Sequence, residues 1–156
     1  MNYSEEIGKI LTKRNLKIST VESCTGGLLS SKLTDISGSS AYITLNLITY
    51  ANEAKERMLN VVINEEGVVS ETCAFQMSKG LHELTSSDIC VSTTGIAGPT
   101  GGSKEKPVGL MYSTIFSLNK TQNYRIQVPH NLSRIEVKEA FAQEVLKNIY
   151  EFLTTP

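Results

Sequence analysis

Residues 17–33 read KISTVESCTGGLLSSKL, and the fold turns on how they are parsed. Lys17 to Val21 is short, β-branched and apolar, which predicts a strand. The segment Val21-Glu-Ser-Cys-Thr-Gly-Gly27 then breaks the pattern, and a helix is expected from about Thr25, because Leu28, Leu29, Leu33 and Ile36 are spaced for one apolar face. Gly38 closes it. A strand followed by a glycine turn and a helix is the opening unit of an α/β sheet, and such turns are where open sheets place reactive and phosphate-binding groups.

The same alternation continues on either side of this segment. Residues 4–14 place Ile7, Ile10 and Leu11 at helical spacing. Tyr42 to Tyr50 reads as a strand, and Asn52 is expected to cap a helix running to Asn60, with Ala54 and Met58 four apart. Ser70 is the expected cap of a helix with the stripe Ala74, Met77, Leu81 and Leu84. Ile89 to Thr93 is a buried strand, followed from Gly95 to Pro107 by a loop with four glycines and two prolines. Val108 to Leu118 alternates, as do Tyr124, Ile126 and Val128, which predicts an antiparallel hairpin turning at Asn119-Lys120. Ser133-x-x-Glu136 is a capping box for a long amphipathic helix through Val137, Phe141, Val145, Ile149 and Phe152. The expectation is an α/β protein, one three-layer α/β/α domain over residues 1–156 with a mixed sheet.

With 156 residues, 40% hydrophobic and 20% charged, the chain has the composition of a packed globular domain. Fifteen basic against sixteen acidic residues leave a net charge of −1, so no basic field speaks for nucleic acid. No apolar run is long enough to span a bilayer and the N-terminus lacks a secretory core, so a cytoplasmic protein without a membrane partner is expected. Cys24, Cys73 and Cys90 have no C-x-x-C spacing; Cys73 and Cys90 read as small buried residues, and no metal or cofactor is expected.

Two segments can carry chemistry. In the first, a hydroxyl or thiol of Ser23, Cys24 or Thr25 can act as nucleophile, and N–H groups at the helix start can receive an anion or oxyanion; the alternative is a tight turn capped by Thr25. The second, Thr94 to Pro107, is neither a Walker loop nor a G-x-G-x-x-G fingerprint, and suits a phosphate monoester or a sugar, or else is a solvated loop. His82 and His130 are poor candidates for a base. Lys55 is the other option if its amine is held neutral, and Tyr50 stands near it; otherwise Lys55 is a solvated helix lysine.

Glu22-Ser-Cys-Thr-Gly-Gly27, Leu33-Thr-Asp-x-x-Gly-Ser-Ser40, Tyr50-x-Asn-Glu-Ala-Lys55, Gly67-x-Val-Ser70, Thr94-Gly-Ile-Ala-Gly-Pro99 and Gly101-Gly-Ser-x-Glu-Lys-Pro-Val-Gly109 occur in an order that resembles the CinA C-terminal domain family of nicotinamide mononucleotide deamidases. The resemblance runs from about Gly8 to Phe152. It implies hydrolysis of the carboxamide of nicotinamide mononucleotide to nicotinate mononucleotide and ammonia, in pyridine nucleotide recycling. Ser23 matches the family's nucleophile, Lys55 its base, and Tyr50 the accompanying tyrosine. The N–H groups of Cys24, Thr25, Gly26 and Gly27 are then the expected oxyanion donors, with Thr94, Gly95, Gly101, Gly102, Ser103 and Arg134 around the ribose phosphate. Arg134 stands in His-Asn-Leu-Ser-Arg, where the family has a glycine- and aspartate-rich stretch. The chain lacks the nucleotide-processing domain of fused members and is expected to be the stand-alone form, a homo-oligomer with a small-molecule substrate. The competing expectation is a non-catalytic phosphate- or nucleotide-binding module linked to competence or DNA damage; an intact Ser23, Tyr50 and Lys55 weigh against it.

Overall fold

The computed structural model describes all 156 residues. Helix α1 (Tyr3–Arg14) starts at Asn2, whose side chain accepts from the Glu5 N–H, and stops where Asn15 turns left-handed. Strand β1 (Ile18–Glu22) follows, buried along its whole length. Helix α2 is shorter than the leucine spacing suggests: it spans Leu28–Thr34, and Ile36 lies beyond it. Thr25 is not its cap. Gly26 and Gly27 sit at φ +59° and +101°, a region glycine enters without strain, so the chain makes a complete turn before the helix begins.

Strand β2 (Ile43–Ile48) leads to α3 (Asn52–Leu59), in which Asn52 is the first helical residue and not the cap. Its buried positions are Lys55 and Leu59; Met58 is half exposed, so the face expected from Ala54 and Met58 is displaced by one residue. Helix α4 (Glu71–Thr85) opens at Ser70 as expected, with the stripe ending at Leu81 because Leu84 is exposed. Strand β3 (Ile89–Gly95), the hairpin β4 (Leu110–Phe116) and β5 (Thr121–Gln127), and α5 (Arg134–Thr154) complete the chain. The capping box of α5 is formed, and Val137, Phe141, Val145, Ile149 and Phe152 are all buried.

The sheet order is β2-β1-β3-β4-β5, with β2, β1 and β3 parallel and the last two antiparallel. One face packs on α1, α2 and α5 through residues such as Ile7, Leu29, Leu33 and Phe141. The other packs on α3 and α4 through Leu59, Met77 and Leu81 against Val21 and Cys90. This is a three-layer α/β/α architecture with a mixed sheet. Because both faces are covered, β4 is buried at Leu110, Met111, Ser113, Thr114 and Ile115, and its apolar–polar alternation does not mark a solvated face. β1 connects through α2 to a neighbour on one side, while β3 lies on its other side and is reached through α3 and α4. The carboxyl ends of β1 and β3 therefore flank a topological switch point, the position where such sheets open a crevice.

Candidate active site

The crevice holds a cleft of about 270 Å³ lined by Ser23, Tyr50, Lys55, Thr94, Gly95, Gly101 and Arg134, with Val68, Val69 and Ile96 as apolar walls. Ser23 is the first residue after β1, and its N–H is bonded to the Thr93 carbonyl at 3.1 Å, which ties the ends of β1 and β3 together. Register does the rest. Glu22 pairs with Ile48, the Thr49 N–H donates to the Glu22 carbonyl at 2.9 Å, and α3 starts two residues after Tyr50. Lys55 is thereby brought back over the end of β1.

The Lys55 side chain is 1% exposed and has no carboxylate partner. Its amine donates to the carbonyls of Thr49 (2.8 Å) and Tyr50 (3.1 Å) and lies 3.1 Å from Ser23 Oγ. Burial holds its pKa below the ordinary lysine value of 10.5 by penalising the charged form. In the neutral state two N–H bonds satisfy the two carbonyls, and the lone pair is left for the Ser23 hydroxyl. Cys24, the neighbouring nucleophile candidate, is buried in the core, and desolvation pushes its thiol up to about 12. It stays protonated, which is unfavourable for a nucleophile.

The opposite rim is built by the glycine loop and α5. Gly98 and Gly101 take positive φ, and the N–H groups of Gly98, Thr100 and Gly101 have no partner in the chain. Pro99 interrupts the run, so Thr100 and Gly101 are the two successive free donors, an arrangement suited to receiving an anion. Arg134, the first residue of α5, donates to the Gly98 carbonyl at 2.7 Å and to the Tyr50 hydroxyl at 2.9 Å, so its charge faces the cleft without an acidic neighbour. The Thr94 hydroxyl donates to the Val68 carbonyl at 2.7 Å and holds that wall in place. Gly95 leaves no room for a side chain, since a Cβ would lie 2.6 Å from the Leu110 carbonyl oxygen.

Five expected contacts lie elsewhere. Thr25 is fully buried, and its hydroxyl bonds Glu22 and Thr93. Gly26 and Gly27 line a separate depression beside Lys138, and their N–H groups are already bonded to the Ser23 carbonyl and the Glu22 carboxylate. The start of α2 is thus occupied by a carboxylate from its own chain and does not serve as an anion site. Within this turn only the Cys24 and Thr25 N–H groups remain without a partner. Gly102 packs on Val108, while Ser103 is exposed and accepts from the Lys106 N–H, so both shape the loop beyond the cleft. Neither His82 nor His130 lines the cleft. Sequence reasoning missed Glu22, Thr93 and Gly98; a lone carboxylate ending a fully buried strand was the available signal for Glu22.

A family model described as CinA C-terminal domain matches residues 1–153. A curated relative named CinA-like protein, from Chloroherpeton thalassium, is 42% identical over 158 residues, covering 98% of this chain and 38% of the relative. The chain spans about a third of the length of the curated relatives it matches. The crystal structure of competence/damage inducible protein CihA from Agrobacterium tumefaciens superposes with a TM-score of 0.88 at 36% identity, covering 94% of this chain and 91% of that one. That of competence damage-inducible protein A (ComA) from Klebsiella pneumoniae gives 0.90 at 27%, covering 98% and 96%.

Proposed function

We propose that this chain, which belongs to the CinA C-terminal domain family, is an amidase that hydrolyses the carboxamide of nicotinamide mononucleotide. The observation that carries the reading is the buried, carboxylate-free Lys55 amine 3.1 Å from Ser23 Oγ. A lysine whose charge is penalised by burial serves as a base toward a hydroxyl, and a binding-only module has no use for one.

Ser23 Oγ attacks the carboxamide carbon as its proton passes to Lys55. The C–O bond forms, the carbonyl π electrons move to oxygen, and the free N–H of Cys24, which lines the cleft beside Ser23, is the donor available to that oxyanion. Lys55 returns the proton to the amide nitrogen, the C–N bond breaks, and ammonia leaves an ester on Ser23. Water, deprotonated by Lys55, then hydrolyses the ester. Arg134 and the N–H groups of Gly98, Thr100 and Gly101 are the phosphate donors at the far rim, and Val68, Val69 and Ile96 offer apolar walls to the ring. Binding energy from the phosphate is used at the remote amide.

The test is ammonia release from nicotinamide mononucleotide, with free nicotinamide as control. Turnover of the nucleotide, much slower turnover of nicotinamide and none with Ser23→Ala are expected. Equal rates on both amides would remove the phosphate rim from the mechanism, and no ammonia from either would overturn the reading.

A further inference from the structure

We propose that Glu22 is the positioning residue of the nucleophile turn, orienting a one-way hydrogen-bond chain through Thr25 and Thr93 to the backbone of Ser23. The inference rests on Ser23 being the nucleophile.

Glu22 is fully buried and has no cationic partner. Its carboxylate accepts from the N–H groups of Gly27 (3.2 Å), Leu29 (2.9 Å) and Ser30 (2.9 Å), and from the hydroxyls of Ser30 and Thr25, the latter at 2.6 Å. An isolated buried charge is strongly unfavourable, and this number of donors is what makes it tolerable. A seven-residue helix does not need it, because a serine or asparagine caps as well. The reach to Thr25 is the unexplained part.

An ionised carboxylate only accepts. Thr25 must therefore give its hydrogen to Glu22, which leaves its oxygen to accept from the Thr93 hydroxyl at 2.8 Å. The Thr93 oxygen in turn faces the Ser23 N–H at 3.3 Å. Direction is thus imposed from the carboxylate end, and every hydroxyl is locked. The backbone of Glu22 also reaches the base: its carbonyl accepts from Thr49 N–H, and the Thr49 carbonyl accepts from Lys55 Nζ. One residue holds the nucleophile through its side chain and the base through its main chain.

The test uses a fluorophosphonate probe, with which Ser23 Oγ forms a bond to phosphorus, fluoride leaves and the hydroxyl proton passes to Lys55. Glu22→Gln keeps the shape but turns an NH₂ toward groups that also donate. Labelling of the folded protein should slow at least tenfold, and kcat for the nucleotide should fall similarly with KM within twofold, since Arg134 and the glycine loop are untouched. If Glu22→Gln does not fold, Thr25→Val decides. It cuts the chain while leaving Glu22 its three N–H donors, and it should show the same loss, restored by Thr25→Ser. A merely structural role lowers the melting temperature without slowing the folded fraction. Labelling within twofold of the parent in folded Glu22→Gln or Thr25→Val overturns the proposal. If the parent is labelled at Ser23 but releases no ammonia from the nucleotide, the substrate reading fails and the labelling rates alone decide this one. A parent not labelled at Ser23 overturns both.

Discussion

Gly80 lies on α4 where that helix passes the end of α3. A Cβ built there would stand 2.3 Å from the Leu59 carbonyl oxygen and 3.0 Å from the Leu59 carbonyl carbon and Cβ, roughly 1 Å short of ordinary contact. Glycine to alanine inside a helix normally stabilises by about 1 kcal/mol. Overpacking of this kind costs about 1–3 kcal/mol, so Gly80→Ala should be neutral to about 2 kcal/mol destabilising, a fall of up to roughly 8 °C for a chain of this size. Helix α4 cannot yield, because the Ser78 hydroxyl bonds the Thr114 carbonyl and the Ala74 carbonyl accepts from Ser92. The short α3, with Glu53 and Arg57 in solvent, is the element that moves. Leu59 is one turn from Lys55 on the same buried face, so a shift near 1 Å reaches the amine and draws it from Ser23. A misplacement of that size costs about a hundredfold in rate. Calorimetry together with ammonia release should therefore show a large loss of turnover beside a small loss of stability. A raised melting temperature, or full turnover, would refute the packing argument.

Because the folded-state pKa of Lys55 lies below 10.5, the rate of amide hydrolysis should climb with pH through that pKa, and a rate flat from neutral to alkaline pH would remove Lys55 as the base. Between the two pKa values the unfolded chain binds more protons, so this group makes the unfolding free energy rise with pH; Lys55→Met should reduce that slope in denaturation titrations, and an unchanged slope would contradict the assigned burial penalty. Lys55→Arg should be as inactive in ammonia release as Lys55→Ala, because arginine keeps the charge and cannot give up its proton; substantial turnover would make Lys55 a fixed charge only. Cys24→Ala should retain most turnover, whereas Ser23→Ala should retain none, and the reverse would make the thiol the nucleophile.

The elements with their own punctuation were legible: Ser70 and the Ser133–Glu136 box sit at real helix starts, and the hairpin turns where its alternation breaks. The misreadings share a cause, namely side chains whose partners are far away in sequence. Thr25 reads as a cap until Glu22 is seen to take the Gly27, Leu29 and Ser30 N–H groups. The buried face of α3 was missed because it contains a lysine, which no hydrophobic pattern places inward. The resemblance grouped Ser23, Tyr50 and Lys55, but residue pattern alone named them singly, because the meeting of Ser23 with Lys55 depends on the parallel register of β1 with β2, which no local spacing reports.

If Ser23 and Lys55 act as proposed, the fold supplies the two halves of the chemistry from opposite faces of the sheet. In the proposed mechanism Glu22 and α2 fix the nucleophile turn from one side while α3 delivers the amine from the other, and the β1–β2 pairing and the packing of Leu59 on Val21 connect them. The proposed phosphate rim depends on different elements: Ile96 is held by Leu110 at the end of β4, and Arg134 hangs from α5. Substitutions that disturb β1, β2 or α3 should therefore act on kcat, by separating nucleophile and base. Those that disturb the β4 end, the glycine loop or the first turn of α5 should act on KM for the phosphorylated amide and leave turnover of bound substrate largely intact.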